Sequence, residues 1–98
     1  MILGNKIKTL RIEHEVKQRQ LAIYLHIDTP LLCKIERGER RAKREHVILL
    51  ARFFHVDEKE MLSIWLADKV LNAIKDEDRN GIKEIALQIA QNAINNDV

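Results

Sequence analysis

Cysteine, proline, glycine and aromatic residues are all scarce in this chain of 98 residues. Cys33 is the one cysteine, so no disulfide can form within the chain, and a reducing cytoplasm fits this usage. The first residues lack the long apolar core of a secretory signal peptide. No apolar run approaches the roughly 20 residues that a membrane-spanning helix needs. The sequence therefore predicts a cytoplasmic protein that does not enter a membrane.

The scarcity of chain-breaking residues bears on the fold class. The chain has one proline and three glycines, and it has no alternating runs of β-branched residues, so a β-sheet protein is disfavoured. An apolar fraction of 46% and the lack of low-complexity segments argue against extended disorder. Ninety-eight residues suffice for one small domain, with or without an appendage. The predicted fold class is all-α.

Residue patterns that carry enzyme chemistry are also missing. No Ser/His/Asp set, phosphate-cradling glycine loop or paired-carboxylate scaffold stands out. The four histidines are scattered over different predicted elements, and no Cys or His spacing suits zinc. We therefore expect no enzyme activity, no metal site and no cofactor.

Charge is divided unevenly along the chain, although the net charge is only +2. Residues 1–44 contain eleven Lys/Arg and five Asp/Glu, whereas residues 45–98 contain six and ten. A basic half joined to an acidic half predicts a nucleic-acid face and a separate assembly region, because phosphate binding requires basic faces. The alternative is chance patterning on a solvated surface.

Apolar residues recur at helical spacing along most of the sequence. They predict helices over about 5–15, 18–25, 44–54, 58–76 and 81–95. A short third helix is predicted between Asp28, a good N-cap, and Gly38, which can end it with a positive φ. The main apolar stripe of the fifth helix consists of Leu62, Leu66, Val70, Ala73 and Ile74.

The second and third helices are short and are joined by a tight turn, which is the helix-turn-helix arrangement. The residues that carry a family pattern are Leu10, Arg11, Gln18, Leu21, Ala22, Leu25, Ile27, Leu32, Ile35, Glu36, Gly38, Leu50 and Ala51. In this register, over about residues 3–66, the chain resembles the lambda-repressor/Cro-like (XRE) family. The resemblance implies a five-helix lambda-repressor-like DNA-binding domain over residues 1–66. Residues 67–98 would be a helical extension with one additional C-terminal helix.

The resemblance also implies a role for individual residues. The third helix would enter the major groove of double-stranded DNA, with base contacts from Thr29, Pro30, Cys33 and Lys34. Phosphate contacts would come from Gln18, Arg37, Arg40, Arg41 and Lys43. Arg11 and Glu36 match a family ion pair that ties the first helix to the third. One departure is that no Gln, Asn or Arg lies between Thr29 and Ile35, so we expect direct base readout to be sparse.

The last two helices carry more apolar surface than one small domain needs. They could fold back as a hairpin that only enlarges the monomer core, or they could pair with another subunit. We favour a homodimer, because a two-fold dimer doubles the DNA contacts and matches a palindromic operator. The expected dimerisation residues are Trp65, Leu71, Ile82, Ile85 and Ile89.

The expected function is therefore that of a sequence-specific, DNA-binding transcriptional regulator, with repression as the expected mode of action. A regulatory protein that docks on the acidic half is left open as a further partner. The alternative is a protein-interaction module or antitoxin, in which the C-terminal helices bind a partner protein. The basic cluster after the third helix argues against that alternative, because a pure interaction domain does not need it.

Overall fold

The computed structural model describes residues 1–77 and 80–96, which form six helices and no strand. Residues 78 and 79 of the turn predicted between the last two helices, and residues 97 and 98 of the predicted extension, lie outside the described residues. The helices are α1 (Ile2–Glu13), α2 (Gln18–Leu25), α3 (Thr29–Glu36), α4 (Arg44–Phe54), α5 (Glu58–Ile74) and α6 (Ile82–Asn96). The predicted all-α class is confirmed. None of the described helices combines the length and hydropathy of a membrane span.

The turn between α2 and α3 follows from local backbone chemistry. His26, with φ of 59°, ends α2 in the left-handed region. The Asp28 side chain then accepts a hydrogen bond from the Leu31 N–H at 2.8 Å and so caps α3. Pro30 falls in the first turn, where its missing N–H is harmless. Only three residues therefore separate the two helices.

A single apolar core lies among α1 to α4 and the first half of α5. Buried apolar side chains come from all five of these helices and from Ala42 in the loop before α4. The largest fully buried side chains are Ile7, Leu21, Leu32, Val47, Leu50 and Met61. Helix α6 contributes no residue to this core, since none of its residues is buried.

Only the start of the predicted main stripe of α5 packs against the domain, because Leu62 is half-buried against the core and the later residues turn away. Met61 and Asp68 are buried and Trp65 is half-buried, so these residues, one helical turn apart, form the inner face. Leu66 and Val70 of the predicted main stripe are exposed. Spacing alone could not choose between the two faces, because both are largely apolar and the inner one includes a buried carboxylate.

That carboxylate explains why α1 begins at Ile2 rather than near residue 5. The two side-chain oxygens of Asp68 accept hydrogen bonds from the N–H groups of Ile2 and Leu3, each at 2.9 Å. The first N–H groups of a helix have no partner within the helix, and a carboxylate is favoured there. The cap comes from a residue 65 positions away along the chain, so local sequence could not reveal it.

We expect Asp68→Asn to destabilise the protein by about 1.5 kcal/mol, because the amide nitrogen cannot accept a hydrogen bond and a buried donor loses its partner. Urea denaturation followed by circular dichroism measures this loss. Asp57→Asn is the matched control, since Asp57 caps α5 from an exposed position through the Glu60 N–H at 2.9 Å. Asparagine is a good N-cap, so the control should lose only a few tenths of a kcal/mol. Equal losses in the two variants would refute a special role for the buried cap.

Candidate nucleic-acid interface

Helix α3 presents the four predicted base-contact residues on one face. Lys34 and Pro30 are exposed, and Thr29 and Cys33 are half-buried. They form two adjacent pairs, Thr29–Pro30 and Cys33–Lys34, and the two pairs are four positions apart, which places them on the same side of the helix. Leu32 and Ile35, which are buried, hold the opposite side against the core. We call Thr29, Pro30, Cys33 and Lys34 the reading face.

The end of α3 leads directly into the basic segment, residues 37–43, which we call the basic loop. Gly38, with φ of 78°, reverses the chain, and its N–H donates to the Ile35 carbonyl at 3.1 Å. The Glu39 N–H donates to the Lys34 carbonyl at 2.9 Å, which completes a Schellman motif. The Arg40 N–H reaches the same carbonyl at 3.4 Å. The basic loop therefore begins beside the last residue of the reading face.

The cationic residues of the basic loop are accessible to solvent. Arg37, Arg40, Arg41 and Lys43 are all exposed. Arg37 forms an ion pair with Glu39, but both side chains are more than half exposed, so this pair contributes little to stability. Among the described residues, the other three cations have no carboxylate partner. The loop can thus offer several cations to an anionic ligand.

One member of the basic loop rests on α5. The Arg41 guanidinium carbon lies 4.2 Å from the centroid of the Trp65 ring. The indole Nε1–H of Trp65 donates to the carbonyl of Ala42, the next loop residue, at 2.7 Å. Trp65, which the sequence suggested as a dimer contact, is half-buried and makes both of these contacts within its own monomer. A lone tryptophan on an apolar helix carried no sequence signal for these contacts.

A buried network joins α1, α2 and α3 behind the interface. Glu36 accepts hydrogen bonds from Arg11 Nε at 2.9 Å and from Arg11 Nη2 at 3.1 Å, in the bidentate geometry of the ion pair expected from the family resemblance. Gln18 Nε2 also donates to Glu36, at 3.1 Å. Gln18 is the residue expected to contact phosphate, and the hydrogen bond to Glu36 uses one of its two amide N–H groups, which leaves the other for a phosphate oxygen. Its position at the first turn of α2 keeps it beside a helix N-terminus, where N–H groups suit anions.

A histidine in the first turn of α4 is hydrogen-bonded to the last residue of the basic loop, and the sequence did not single it out. The Lys43 N–H donates to His46 Nδ1 at 3.3 Å. Burial lowers the pKa of His46 below its usual value; the smaller effect of Glu45 raises this pKa, and that of Lys43 lowers it further. The ring thus stays neutral and able to accept the hydrogen bond near neutral pH. The signal that could have found it is its position three residues after the N-cap, where Glu or Gln usually completes a capping box.

The other four predicted dimerisation residues are exposed apolar side chains, one on α5 and three on α6. Leu71, Ile82, Ile85 and Ile89 are between 45% and 64% exposed, and we refer to these four side chains together as the C-terminal apolar surface. Leu71 also lines an open groove of about 500 Å³, together with Met1, Ile2 and Asn72. No group of three His, Cys, Asp or Glu residues in the described ranges is arranged to hold a metal ion.

Comparison with known proteins agrees with this geometry. A family profile described as "Helix-turn-helix domain" matches residues 2–63. The fold is similar to the crystal structure of the clp gene regulator ClgR from Corynebacterium glutamicum, with a TM-score of 0.58 and 20% sequence identity. The alignment covers 78% of this chain and 81% of that one. No curated protein matches the sequence.

Proposed function

Because the chain belongs to the Helix-turn-helix domain family, we propose that it binds double-stranded DNA and regulates transcription. We further propose that it acts as a homodimer on a two-fold symmetric operator, with repression by promoter occupancy as the mode of action. Residues 1–66 would form the DNA-binding domain, and residues 67–98 would form the dimerisation extension. No cofactor is required for this mechanism.

The observation that carries the DNA-binding proposal is the junction between the reading face and the basic loop. The Lys34 carbonyl accepts hydrogen bonds from the Glu39 and Arg40 N–H groups, so the loop cations begin at the C-terminal end of α3. A helix in the major groove needs cations beside it, because the phosphates flank the groove. Lys34 can donate to guanine O6 and N7, and Thr29 can contact a base or a thymine methyl group.

The small number of polar groups on the reading face shapes the expected specificity. Pro30 offers only apolar contact, and Cys33 is half-buried. Phosphate contacts and sequence-dependent DNA shape would therefore supply much of the selectivity. Gln18, Arg37, Arg40, Arg41 and Lys43 are the proposed phosphate contacts. Each of the four cations that is lost should reduce the salt dependence of binding, whereas loss of the neutral Gln18 should weaken binding without changing it.

The C-terminal apolar surface supports the homodimer. Burial of exposed side chains such as Ile85 and Ile89 in an interface would stabilise the dimer by roughly 25 cal/mol per Å² of apolar area removed from water. Two domains related by a two-fold axis could then read half-sites roughly 34 Å apart. The same surface is also the observation that favours the second candidate, a protein-interaction module or antitoxin whose partner is a different protein.

Selection of bound duplexes from a random pool, at about 0.15 M salt, tests the proposal. The mass of the protein in solution is measured in parallel. Enrichment of a palindrome bound by a dimer supports the regulator. Binding that is absent, or uniform across sequences, would instead favour the protein-interaction module.

Substitution of one proposed base-contact residue and one proposed phosphate-contact residue separates the two roles. Lys34→Ala should lower the preference for the selected duplex over a scrambled one by about tenfold. Arg40→Ala should weaken binding to both duplexes equally and reduce the salt slope by about one. Fluorescence anisotropy at several salt concentrations measures both effects. If the two variants lose affinity uniformly for every duplex, the assignment of Lys34 to base readout is wrong.

A further inference from the structure

We propose that Trp65 is the positioning residue of the basic loop and that it orients Arg41 for contact with a DNA phosphate. This inference rests on the proposed DNA-binding function and adds to the same site a residue on α5. Trp65 itself would not contact DNA. It would act through the main chain at Ala42 and through the guanidinium of Arg41.

Two contacts hold the middle of the loop against α5. The first is the hydrogen bond from Trp65 Nε1 to the Ala42 carbonyl, at 2.7 Å. The second is the Arg41 guanidinium over the indole ring, at 4.2 Å. Ala42 is only 4% exposed, whereas Arg41 and Lys43 on either side of it are exposed. The loop is therefore anchored at one buried alanine, and the neighbouring cations project from that point.

The stacking arrangement suits recognition of a phosphate. A guanidinium that covers an aromatic face keeps the N–H groups at its edge available for an anion. The aromatic ring is attractive to a cation, and it offers no acceptor atom that would compete with a phosphate oxygen. No carboxylate among the described residues pairs with Arg41, in contrast to Arg37, which pairs with Glu39. Holding Arg41 in place reduces the side-chain entropy that binding would otherwise remove.

The inner face of α5 also holds the start of α1. One turn after Trp65, Asp68 binds the first two N–H groups of α1. Both anchors thus project from the same rigid helix, which carries exposed apolar residues such as Leu66 and Val70 elsewhere on its surface. Side chains supported by a helix are held more accurately than those supported by a loop. The position of Arg41 is therefore tied to the helix that leads into the proposed dimerisation extension.

A double-mutant cycle on the full chain tests the proposal. Trp65→Leu, Arg41→Ala and the double variant are compared with the wild type for binding to the selected duplex. Trp65→Leu should weaken binding about fivefold when Arg41 is present, because the guanidinium loses its support. In the Arg41→Ala background the same substitution should cost clearly less, because the guanidinium is already absent and only the hydrogen bond to the Ala42 carbonyl is lost.

A parallel cycle with Arg44→Ala is the matched control, since Arg44 is an exposed arginine close in sequence that does not stack on Trp65. Trp65→Leu should cost the same in the presence and absence of Arg44. Trp65→Phe keeps a ring face but loses the Nε1–H donor, so it should restore part of the affinity lost in Trp65→Leu. Because Trp65 is the only tryptophan, its emission should also change in Arg41→Ala without DNA.

The outcomes separate this inference from the function on which it rests. If the wild type binds no duplex, the proposed function is wrong. If the wild type binds DNA and Arg41→Ala weakens binding, but Trp65→Leu costs the same in both Arg41 backgrounds, then Trp65 only stabilises the fold and the inference is overturned. Thermal unfolding of each variant shows that the affinities compare folded proteins.

Discussion

Ile89→Glu is expected to convert the proposed homodimer into a monomer at micromolar concentration. The side chain of Ile89 is 64% exposed, and it lies on the C-terminal apolar surface. In a two-fold dimer each substitution occurs twice, so the apolar burial of about 1.5–3 kcal/mol per side chain is lost twice. Placing a carboxylate against apolar groups adds a further cost. The dimer dissociation constant should rise by more than about 100-fold.

Analytical ultracentrifugation over a concentration series measures this shift. Ile12→Glu is the matched control, because Ile12 is 60% exposed, lies on α1 outside the C-terminal apolar surface, and undergoes the same change of charge. The control should keep the mass of the wild type. If Ile89→Glu retains the dimer mass, the subunits associate through another surface, and α6 is left for a different protein partner.

Operator binding should weaken together with the dimer. A monomer reads one half-site, and linking two binding modules raises affinity by about 10²- to 10⁴-fold through effective concentration. Ile89→Glu should therefore bind the selected palindrome about 100-fold more weakly, while its binding to an isolated half-site should match that of the wild-type domain. A loss on both duplexes would indicate damage to the DNA-binding domain itself.

Local sequence was sufficient to predict most of the helices. α2 and α4 have the predicted bounds, because the residues that begin and end them lie within a few positions of each helix. Asp28 and Gly38 are also where the sequence indicated, as the N-cap of α3 and the reversal that follows it. Helix capping and periodic burial depend on near neighbours, so they can be read from sequence without tertiary information.

Features that depend on distant partners could not be predicted in this way. The early start of α1 depends on Asp68, and the shape of the basic loop depends on Trp65. Both residues lie on α5, where only the start of the predicted main stripe packs against the domain. Arg11 and Glu36 were expected to pair only because of the family resemblance, since they are 25 positions apart in sequence.

Gly4 is a second case in which local chemistry suggests the wrong result. A glycine inside a helix normally costs about 1 kcal/mol relative to alanine, so Gly4→Ala in α1 would be expected to stabilise the protein. The structure indicates the opposite. A Cβ atom at position 4 would lie 2.5 Å from the Glu36 carbonyl oxygen and 2.7 Å from the Ile35 carbonyl oxygen. These are backbone atoms at the end of α3, and they cannot move aside as a flexible side chain could.

We expect Gly4→Ala to destabilise the protein by about 3 kcal/mol, because overpacking of α1 against α3 outweighs the gain in helix propensity. Relief by movement of α1 is opposed by the hydrogen bonds from Ile2 and Leu3 to Asp68. Urea denaturation measures the loss. Thr9→Ala on the exposed side of the same helix is the control, and it should gain a few tenths of a kcal/mol. A Gly4→Ala protein as stable as the wild type would mean that α1 and the end of α3 do not meet at Gly4. The adjacent Lys34 and basic loop would then lack this support from α1.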